Sequence, residues 1–350
     1  MEPDKDSGER AMQLAEARAE TMTPASRVRA ALPDVQMRFA AIWIALLALM
    51  LIGGILLPRS IQFAAIASIL PFGAFLAIAA MGQALVIMAR GIDLSVPAIV
   101  TLSSTLLLGV SGGSDGAMLW AIVVALLGAG MIGLLNGILV AVFRLNALIV
   151  TLAVGSIVSG LTLWYRQGLP AEATVPVALA EFGSARLFGL NSSVWIALAL
   201  TGLFTFLLRK TVVGRRFEAV GANPQAAYAN GLEIMRYQGG SFVAAALLYG
   251  AVGVLLSAFI RNPTLEVGAP YLLTPIAAAV LGATAISGGI GSMVAVLGGA
   301  LFLTQLGQML KLIGLPTSYQ LVIQGCAIAV GMWLSAYLEG RAIRSAKRRR

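Results

Sequence analysis

The chain has no histidine and only one cysteine, Cys326, among its 350 residues. Without histidine, imidazole metal sites and histidine acid–base chemistry are excluded. A single cysteine cannot form an intrachain disulfide. The nucleotide-binding pattern G-x-x-x-x-G-K-[ST] is also missing, so no P-loop ATPase is encoded here. No nucleophile–base pair or metal-ligand set is present, and we expect a protein that is not an enzyme and binds no metal or cofactor itself.

Charged residues are scarce as well, at 11% of the chain, whereas a soluble domain carries about 25%. Hydrophobic residues make up 59%, and the mean hydropathy is +0.90. A water-exposed surface cannot be built from so little charge, so most of the surface must face lipid. The composition predicts an all-α, polytopic membrane protein.

The formal net charge of +9 does not indicate a nucleic-acid partner. The excess lies in the tail Arg341–Arg350 and in short breaks between apolar runs. Positive-inside bias and attraction to anionic lipid headgroups place basic residues in those positions. We therefore expect membrane lipids as the partner of this charge, and no nucleic acid.

About ten segments are long and apolar enough to be read as transmembrane helices, which need about 20 residues each. They are Phe39–Leu57, Phe63–Met88, Val96–Val110, Ala117–Phe143, Ala147–Tyr165, Leu187–Leu208, Gly240–Ile260, Tyr271–Ile286, Met293–Ile313 and Ser318–Leu338. The third and eighth are short and adjoin breaks with glycine or proline. Irregular backbone survives in a membrane only inside protein or beside a wet cavity, so these broken helices predict a translocation path nearby.

Lysine and arginine predict the orientation. Both termini are expected in the cytoplasm, which requires an even number of spans and is satisfied by ten, and the basic loop 209–238 is the longest inside loop. The chain then divides into a cytosolic, largely disordered segment 1–38, a transmembrane domain 39–338 containing loop 209–238, and a basic cytosolic tail 339–350.

Asp93 lies in the turn R-G-I-D-L-S-V-P (90–97), and it is the only acid between Asp34 and Asp115. Ser95 can cap the next helix, and Pro97 falls in the first turn of that helix. One interpretation is an interfacial turn in which Asp93 pairs with Arg90 or with helix amides. The other is a turn that supports a re-entrant or broken helix beside a pore.

The inside loop TVVGRRFEAVGANPQAAYANGLEIMR (211–236) contains helix signals: Asn223 as N-cap, Pro224 as first residue and Gly231 as C-terminal stop. These predict a short cytosolic helix. It could be a connector lying on the headgroups, but its length favours a docking helix for a soluble partner. The Gly-rich stretch LGATAISGGIGS (281–292) predicts a turn between spans rather than a phosphate site.

The spans contain hydroxyl and amide side chains, and the predicted boundaries leave no charge at mid-membrane, where one would cost about 3 kcal/mol or more. Such groups suit a neutral, hydrogen-bonding solute, although each could equally hold helices together. The residues expected along the path or in its supporting turns are Gln83, Gly91, Asp93, Ser95, Asn136, Thr151, Thr274, Thr284, Ser287 and Gly288.

Four stretches resemble the permease family of binding-protein-dependent ABC importers, in the class that handles ribose, xylose and galactose. They are GQALVIMARGIDLSVPAIVTLSS (82–104), NGILVAVFRLNALIVTLAVGSIVSGL (136–161), VGRRFEAVGANPQAAYANGLEI (213–234) and PIAAAVLGATAISGGIGSMVAVLGGAL (275–301). Three positions depart from the family pattern. Pro97 replaces a small residue, and Ala89-Arg90 replace a Thr/Gly-Gly lead-in.

The resemblance implies the transmembrane subunit of an ATP-driven sugar importer in the bacterial inner membrane. Its partners would be two cytosolic ATPase subunits that use the ATP, a periplasmic sugar-binding protein, and a second, identical or homologous permease. The implied ATPase-docking residues are Gly214, Arg215, Arg216, Phe217, Glu218, Gly221, Asn223, Pro224, Ala227 and Gly231. The alternatives are a nucleoside or branched-chain amino acid permease, and a stand-alone secondary carrier.

Overall fold

The protein was analysed as a computed structural model, which describes residues 24–316, 318–320, 322–326 and 329–331. This part of the chain is a bundle of α-helices with one small two-stranded antiparallel ribbon. The helices are α1 Pro24–Leu56, α2 Phe63–Met88, α3 Val96–Ser111, α4 Met118–Gly137, α5 Ala147–Gln167, α6 Val177–Ser184, α7 Ser192–Lys210, α8 Val212–Ala222, α9 Pro224–Ala229, α10 Ile234–Ile260, α11 Thr274–Leu281 and α12 Met293–Leu312. The strands are β1 Arg186–Leu187 and β2 Leu190–Asn191.

Seven helices within the described residues are long and apolar enough to cross a membrane. Three shorter apolar helices accompany them, at Val96–Ser111, Ala269–Leu281 and Ser318–Gly331. The prediction of a polytopic helical membrane protein is confirmed. The ten predicted spans correspond to these ten segments, and those predicted to be short, the third and the eighth, are short in the structure.

Several boundaries differ from the prediction, and two of them have a clear local cause. The sixth span begins at Ser192 rather than Leu187 because residues 186–191 form the β-ribbon, whose turn holds Phe188 and Gly189 at positive φ. α10 begins at Ile234, one and a half turns before the predicted Gly240. The predicted span, which was based on the apolar run alone, was therefore too short at the N-terminal end of α10.

α1 begins at Pro24, so residues 24–38 are helical where the sequence predicted a largely disordered lead-in. Extending an existing helix costs far less than nucleating one, and the apolar span after residue 38 supplies the nucleus. Residues 1–23 of that predicted segment, the basic tail 339–350 and the end of the tenth predicted span after residue 331 lie outside the described residues.

The centre of the bundle is formed by α2 and α10, both extensively buried by their neighbours. α10 packs against α2, α3 and α4. A Cβ at Gly133 of α4 would lie 2.6 Å from the Phe242 carbonyl oxygen, and one at Gly137 would lie 2.7 Å from that of Gly239. Because only glycine permits this approach, α4 lies directly on α10, and the next residue on this face, Asn136, is carried into the interior.

Candidate functional site

Asp93 lies at the centre of a buried polar network in the turn between α2 and α3. Both Asp93 and Ser95 are fully buried. Asp93 Oδ1 accepts hydrogen bonds from Ser95 N–H at 2.8 Å and from Ser95 Oγ at 2.6 Å. Ser95 occupies the N-cap position of α3, but its hydroxyl serves Asp93 and not the helix amides. The predicted side-chain cap is therefore replaced by a bond back to the turn, while Pro97 lies in the first helical turn as predicted.

The backbone of Asp93 is held by α2. The Gln83 side-chain oxygen accepts from Asp93 N–H at 3.2 Å, and its nitrogen donates to the Asp93 carbonyl at 3.1 Å. The same nitrogen donates to the Tyr249 hydroxyl of α10 at 2.9 Å. The carboxamide orientation is the one that satisfies all three groups. The Gln83 side chain therefore holds the turn by hydrogen bonds to both the N–H and the carbonyl of Asp93, as the backbone of a neighbouring β-strand would.

Two further side chains reach the turn from α4 and α5. Asn136 Nδ2 donates to Ser95 Oγ at 2.9 Å, and Leu94 N–H donates to Thr151 Oγ1 at 2.9 Å. The Thr151 hydroxyl in turn donates to the Ala147 carbonyl at 2.8 Å. A π-helical turn, Ile138–Val142, follows Asn136 at once. Such turns recur near functional sites. Gln83, Asp93, Ser95, Asn136 and Thr151, predicted separately from sequence, thus form one cluster.

Asp93 is buried within the protein, directly before the first turn of α3. Its carboxylate bonds to Ser95 and not to Arg90, and Oδ2 has no hydrogen-bond partner among the described residues. The turn lies outside the helices that span the bilayer, and burial raises the pKa of Asp93 to about 6, against the two hydrogen bonds from Ser95, which lower it. Burial disfavours the charged form of a carboxyl group, and more so where one of its oxygens has no hydrogen-bond partner. Gly91, beside it, packs between Val86 and Phe242.

The segment 211–236, predicted to be an inside loop, contains two helices where the sequence predicted one. α8 places Gly214, Phe217, Val220 and Gly221 against the bundle, whereas Arg215 and Arg216 are exposed. Thr211 caps its N-terminus by accepting from Gly214 N–H at 3.1 Å. The second helix, α9, is the predicted one.

α9 has the ends that its sequence signals predict. Asn223 Oδ1 accepts from Ala226 N–H at 3.1 Å, and Pro224 is the first helical residue. Gly231 stops the helix at φ +77°, and Leu232 N–H donates to the Ala227 carbonyl at 3.0 Å. Ala227 is buried, which turns the opposite face of α9 outward. Glycine in the left-handed region is the usual helix stop.

The described side chains of this loop include one half-buried acid, Glu218. Burial raises its pKa, and the charge of Arg209 at the end of α7 acts in the opposite direction. Arg209 also lies 5.7 Å from the ring centroid of Phe39 in α1. The loop is therefore anchored to two spans at its base, while its outer face is open.

The outer face of the loop carries a large aromatic side chain. Tyr228 of α9 is 74% exposed, and Met235, at the start of α10, is 51% exposed. Together with Arg215 and Arg216, these residues are referred to below as the outer loop face. An aromatic and arginine-rich surface of this kind is typical of protein interfaces.

The predicted Gly-rich turn between the eighth and ninth spans meets the end of α8. Gly289 N–H donates to the Met88 carbonyl at 2.9 Å, and a Cβ at Gly289 would lie 2.5 Å from the backbone nitrogen of Ala222. Gly288 and Gly289 both have positive φ. The turns at residues 89–95, 221–223 and 283–291 therefore lie against one another. The structure joins the three segments that the sequence had singled out.

The remaining predicted path residues lie apart from the Asp93 network. Thr284 is fully buried, and its hydroxyl has no hydrogen-bond partner within the part of the chain that the structure describes. Ser287 is exposed next to Gly288. Thr274 lines a cavity of about 280 Å³. Phe72, Tyr271, Thr304 and Gln308 also line it, and the Gln308 side-chain oxygen has no hydrogen-bond partner among the described residues.

Sequence reasoning missed Tyr249, Arg90 as a partner of α8, and α8 itself. Tyr249 is fully buried and bonds to Gln83, 166 positions away in the chain. Nothing local in the sequence marks it. Within the described residues, no group of three or more histidine, cysteine, aspartate or glutamate side chains could hold a metal ion.

Known proteins similar to this chain are membrane permeases. The family described as "Branched-chain amino acid transport system / permease component" matches residues 65–331. The ribose import permease protein RbsC of Bacillus subtilis is 34% identical over 83% of this chain and 91% of its own length. The L-arabinose ABC transporter permease protein AraH of Azospirillum brasilense is 33% identical over 81% of both chains.

A more distant relative is the autoinducer 2 import system permease protein LsrC of Escherichia coli, 31% identical over 71% of this chain and 72% of its own. No solved structure gives a significant match. The family match covers most of the apolar helices and all the segments that form the buried network and the inside loop. The chain belongs to the permease component family of these transport systems.

Proposed function

We propose that this chain is the transmembrane subunit of an ATP-driven importer that moves a monosaccharide or similar small polyol across the bacterial inner membrane. The observation that carries the proposal is the similarity to permeases named for ribose and arabinose, over more than four fifths of the chain. The buried polar groups agree with it. Among the described residues they are hydroxyls and amides, with Asp93 as the single acid.

A branched-chain amino acid is the other solute suggested, by the name of the family. A zwitterionic solute needs charged or strongly dipolar partners for both its ammonium and its carboxylate. The only buried acid in the described residues already has Ser95 as its partner, and no buried base accompanies it. This difference supports the sugar over the amino acid, and the nucleoside permease remains as the second alternative to exclude by experiment.

We further propose that the cytosolic ATPase subunits dock on the outer loop face. The N-caps at Thr211 and Asn223 stabilise the two helices of the loop. A loop made of stable helices can pass a movement of the ATPase to the transmembrane helices instead of deforming. ATP would be bound and hydrolysed on those partners, consistent with the missing nucleotide motif. A periplasmic sugar-binding protein would deliver the solute on the opposite side, and a second permease would complete the path.

The membrane arrangement we propose has ten spans with both termini in the cytoplasm. The seven long helices would cross the bilayer alone. The three shorter ones would be shielded by neighbours, as irregular segments in membranes must be. The basic segment 209–238 would then lie inside, where positive-inside bias favours it.

The cavity next to Thr274 is proposed as part of the solute path. Its volume of about 280 Å³ is close to the lower end of small-molecule sites. It offers an apolar wall from Phe72 and hydrogen-bonding groups from Thr304 and Gln308, and Lys311 adds one basic side chain to the lining. An aromatic face with a few hydroxyls and amides suits a neutral polyol, which presents both C–H and O–H groups.

Reconstitution with the neighbouring genes' ATPase and binding protein tests the proposal. Proteoliposomes would be assayed for ATP-dependent uptake of labelled D-ribose, L-arabinose, D-xylose, D-galactose, leucine and adenosine. We expect uptake of one sugar, dependent on ATP and on all subunits. Uptake by this chain alone under an ion gradient, or uptake of leucine or adenosine with no sugar transported, would contradict the proposal.

A further inference from the structure

Arg90 is one of five residues other than glycine with positive φ in the described part of the chain, at φ +68°. This left-handed conformation is costly for a residue with a Cβ and is ordinarily occupied by glycine. A strained backbone is kept only where surrounding contacts hold it, and here the contacts are made by the side chain.

The guanidinium of Arg90 binds the end of α8. Nε donates to the Gly221 carbonyl at 2.7 Å, and Nη2 donates to the Ala222 carbonyl at 2.6 Å. These are the last two residues of α8, whose carbonyls have no partner within the helix and carry partial negative charge. A cation that donates two short hydrogen bonds there makes a strong and directional interaction, referred to as the Arg90–α8 interaction.

The Arg90–α8 interaction is surrounded by closely packed backbone of three segments, at Met88, Gly221 and Gly288. A Cβ on Gly288 would lie 2.5 Å from Arg90 Cγ, and one on Gly221 would collide with the Met88 carbonyl. The Gly289 N–H to Met88 carbonyl bond closes the other side. With so little free space, the end of α8 cannot shift without moving the turn that carries Arg90.

That turn leads directly to the buried network. Three residues after Arg90 comes Asp93, whose backbone is held by Gln83 and whose carboxylate is held by Ser95 at the start of α3. The Ala89 carbonyl accepts from Gln238 of α10 at 3.3 Å. A displacement of α8 would thus reach α2, α3 and α10 through one short segment.

We infer that Arg90 is a positioning residue that transmits movement of the docking loop to the Asp93 turn, and so couples the ATPase to the transport path. The inference rests on the proposed function, since it requires the ATPase to act on α8 and α9. It adds that a single side chain in this protein, and not only the packing of glycines, forms the mechanical link.

The substitution Arg90→Gly removes the hydrogen bonds of the Arg90 side chain without adding strain to the backbone of the turn. Glycine adopts φ +68° without cost, so the turn is preserved or stabilised while both hydrogen bonds are removed. Arg144→Gly is the matched control. Arg144 also has positive φ, at +56°, and is exposed, and its side chain makes no hydrogen bond to another element in the described residues.

The test uses the complete importer, with its ATPase and binding protein, in proteoliposomes loaded with ATP and supplied with the sugar that the wild type transports. ATP hydrolysis and uptake are measured together. For Arg90→Gly we expect unchanged copurification of the ATPase and at least a tenfold fall in sugar imported per ATP. Thermal stability should stay close to that of the wild type, because relief of the backbone strain offsets the loss of the two hydrogen bonds. Arg90→Lys should recover part of this ratio, and Arg144→Gly should stay within twofold of wild type.

Two outcomes would overturn the inference while leaving the proposed function intact. One is an Arg90→Gly importer that couples as well as the wild type. The other is loss of ATPase copurification or of thermal stability in Arg90→Gly, which would make Arg90 only a cap of the docking helix. A wild-type complex that imports no sugar with ATP would instead refute the proposed function on which the inference rests.

Discussion

The Ser95 hydroxyl donates to Asp93 Oδ1 at 2.6 Å while accepting from Asn136 Nδ2 at 2.9 Å. The direction of each bond is fixed, because the Asn136 nitrogen can only donate and the carboxylate oxygen accepts. One hydroxyl thus joins the turn after α2 to α4. Because all three side chains are buried, a polar group left there without a hydrogen bond would lower the stability of the fold. This makes Ser95 the member of the network whose loss has consequences on two elements.

Ser95→Ala and Asn136→Ala should therefore be non-additive. Each single change should cost about 1–3 kcal/mol, because each leaves a buried partner unsatisfied. The double variant should cost less than the sum by about 0.5 kcal/mol or more, since the bond lost second is already absent. Thermal or chemical unfolding in one detergent measures the cycle. Additive effects would show that the two side chains act independently.

Asp93→Asn and Asp93→Ala should differ sharply. Asparagine keeps an oxygen for the two Ser95 donors and places a neutral nitrogen where Oδ2 has no partner, so stability should stay within about 1 kcal/mol of wild type. Alanine leaves the Ser95 donors unsatisfied and should cost about 1–3 kcal/mol. Equal destabilisation by both would indicate that the negative charge itself is required.

Asp93 also predicts a dependence of stability on pH. Its pKa in the folded chain, about 6, lies above the ordinary value of 3.8, so the folded state binds more protons between these two values. Stability from this group should rise as pH falls from about 7 towards 4. Unfolding of the wild type and of Asp93→Asn over this pH range would be compared. The substitution should remove this part of the dependence, and an identical profile in both would assign it elsewhere.

The sequence predicted these polar residues better than it predicted their partners. Asn223, Pro224 and Gly231 mark α9 because capping is local, and each signal lies within a few residues of its effect. The pairing of Gln83 with Tyr249 joins α2 to α10 across 166 positions and leaves no local trace. It depends on Gly82, where a Cβ would lie 2.7 Å from the Tyr249 ring.

α8 escaped prediction for a related reason. Two of the four residues that α8 buries against the bundle are Gly214 and Gly221. Its inner face therefore lacks the periodic large apolar residues by which an amphipathic helix is recognised in a sequence. The sequence left Asp93 to pair either with Arg90 or with helix amides. The left-handed φ of Arg90 places its guanidinium on the end of α8, and Asp93 turns inward to Ser95.

Tyr228 should be a main contact of the docking ATPase. Its side chain is 74% exposed on α9, and aromatic anchors dominate many interfaces. Tyr228→Ala should lower copurification of the ATPase about tenfold or more, with membrane insertion unchanged. Phe188→Ala is the control, because Phe188 is 85% exposed in the β-ribbon, far from the loop in the chain. Equal loss in both variants, or none in Tyr228→Ala, would contradict docking at this face.

Gly307→Leu should block the proposed solute cavity. Gly307 lines it, and among the described residues a Cβ there would meet only the flexible side-chain nitrogen of Gln324, at 3.1 Å, so a larger side chain can enter the space without disturbing the described backbone. We expect import to fall about tenfold or more while the complex still assembles. Gly202→Leu is the matched control, since Gly202 is also helical and a Cβ there meets nothing within 4 Å. Uptake kinetics of the two variants decide the matter, because full import by Gly307→Leu would place the solute path elsewhere.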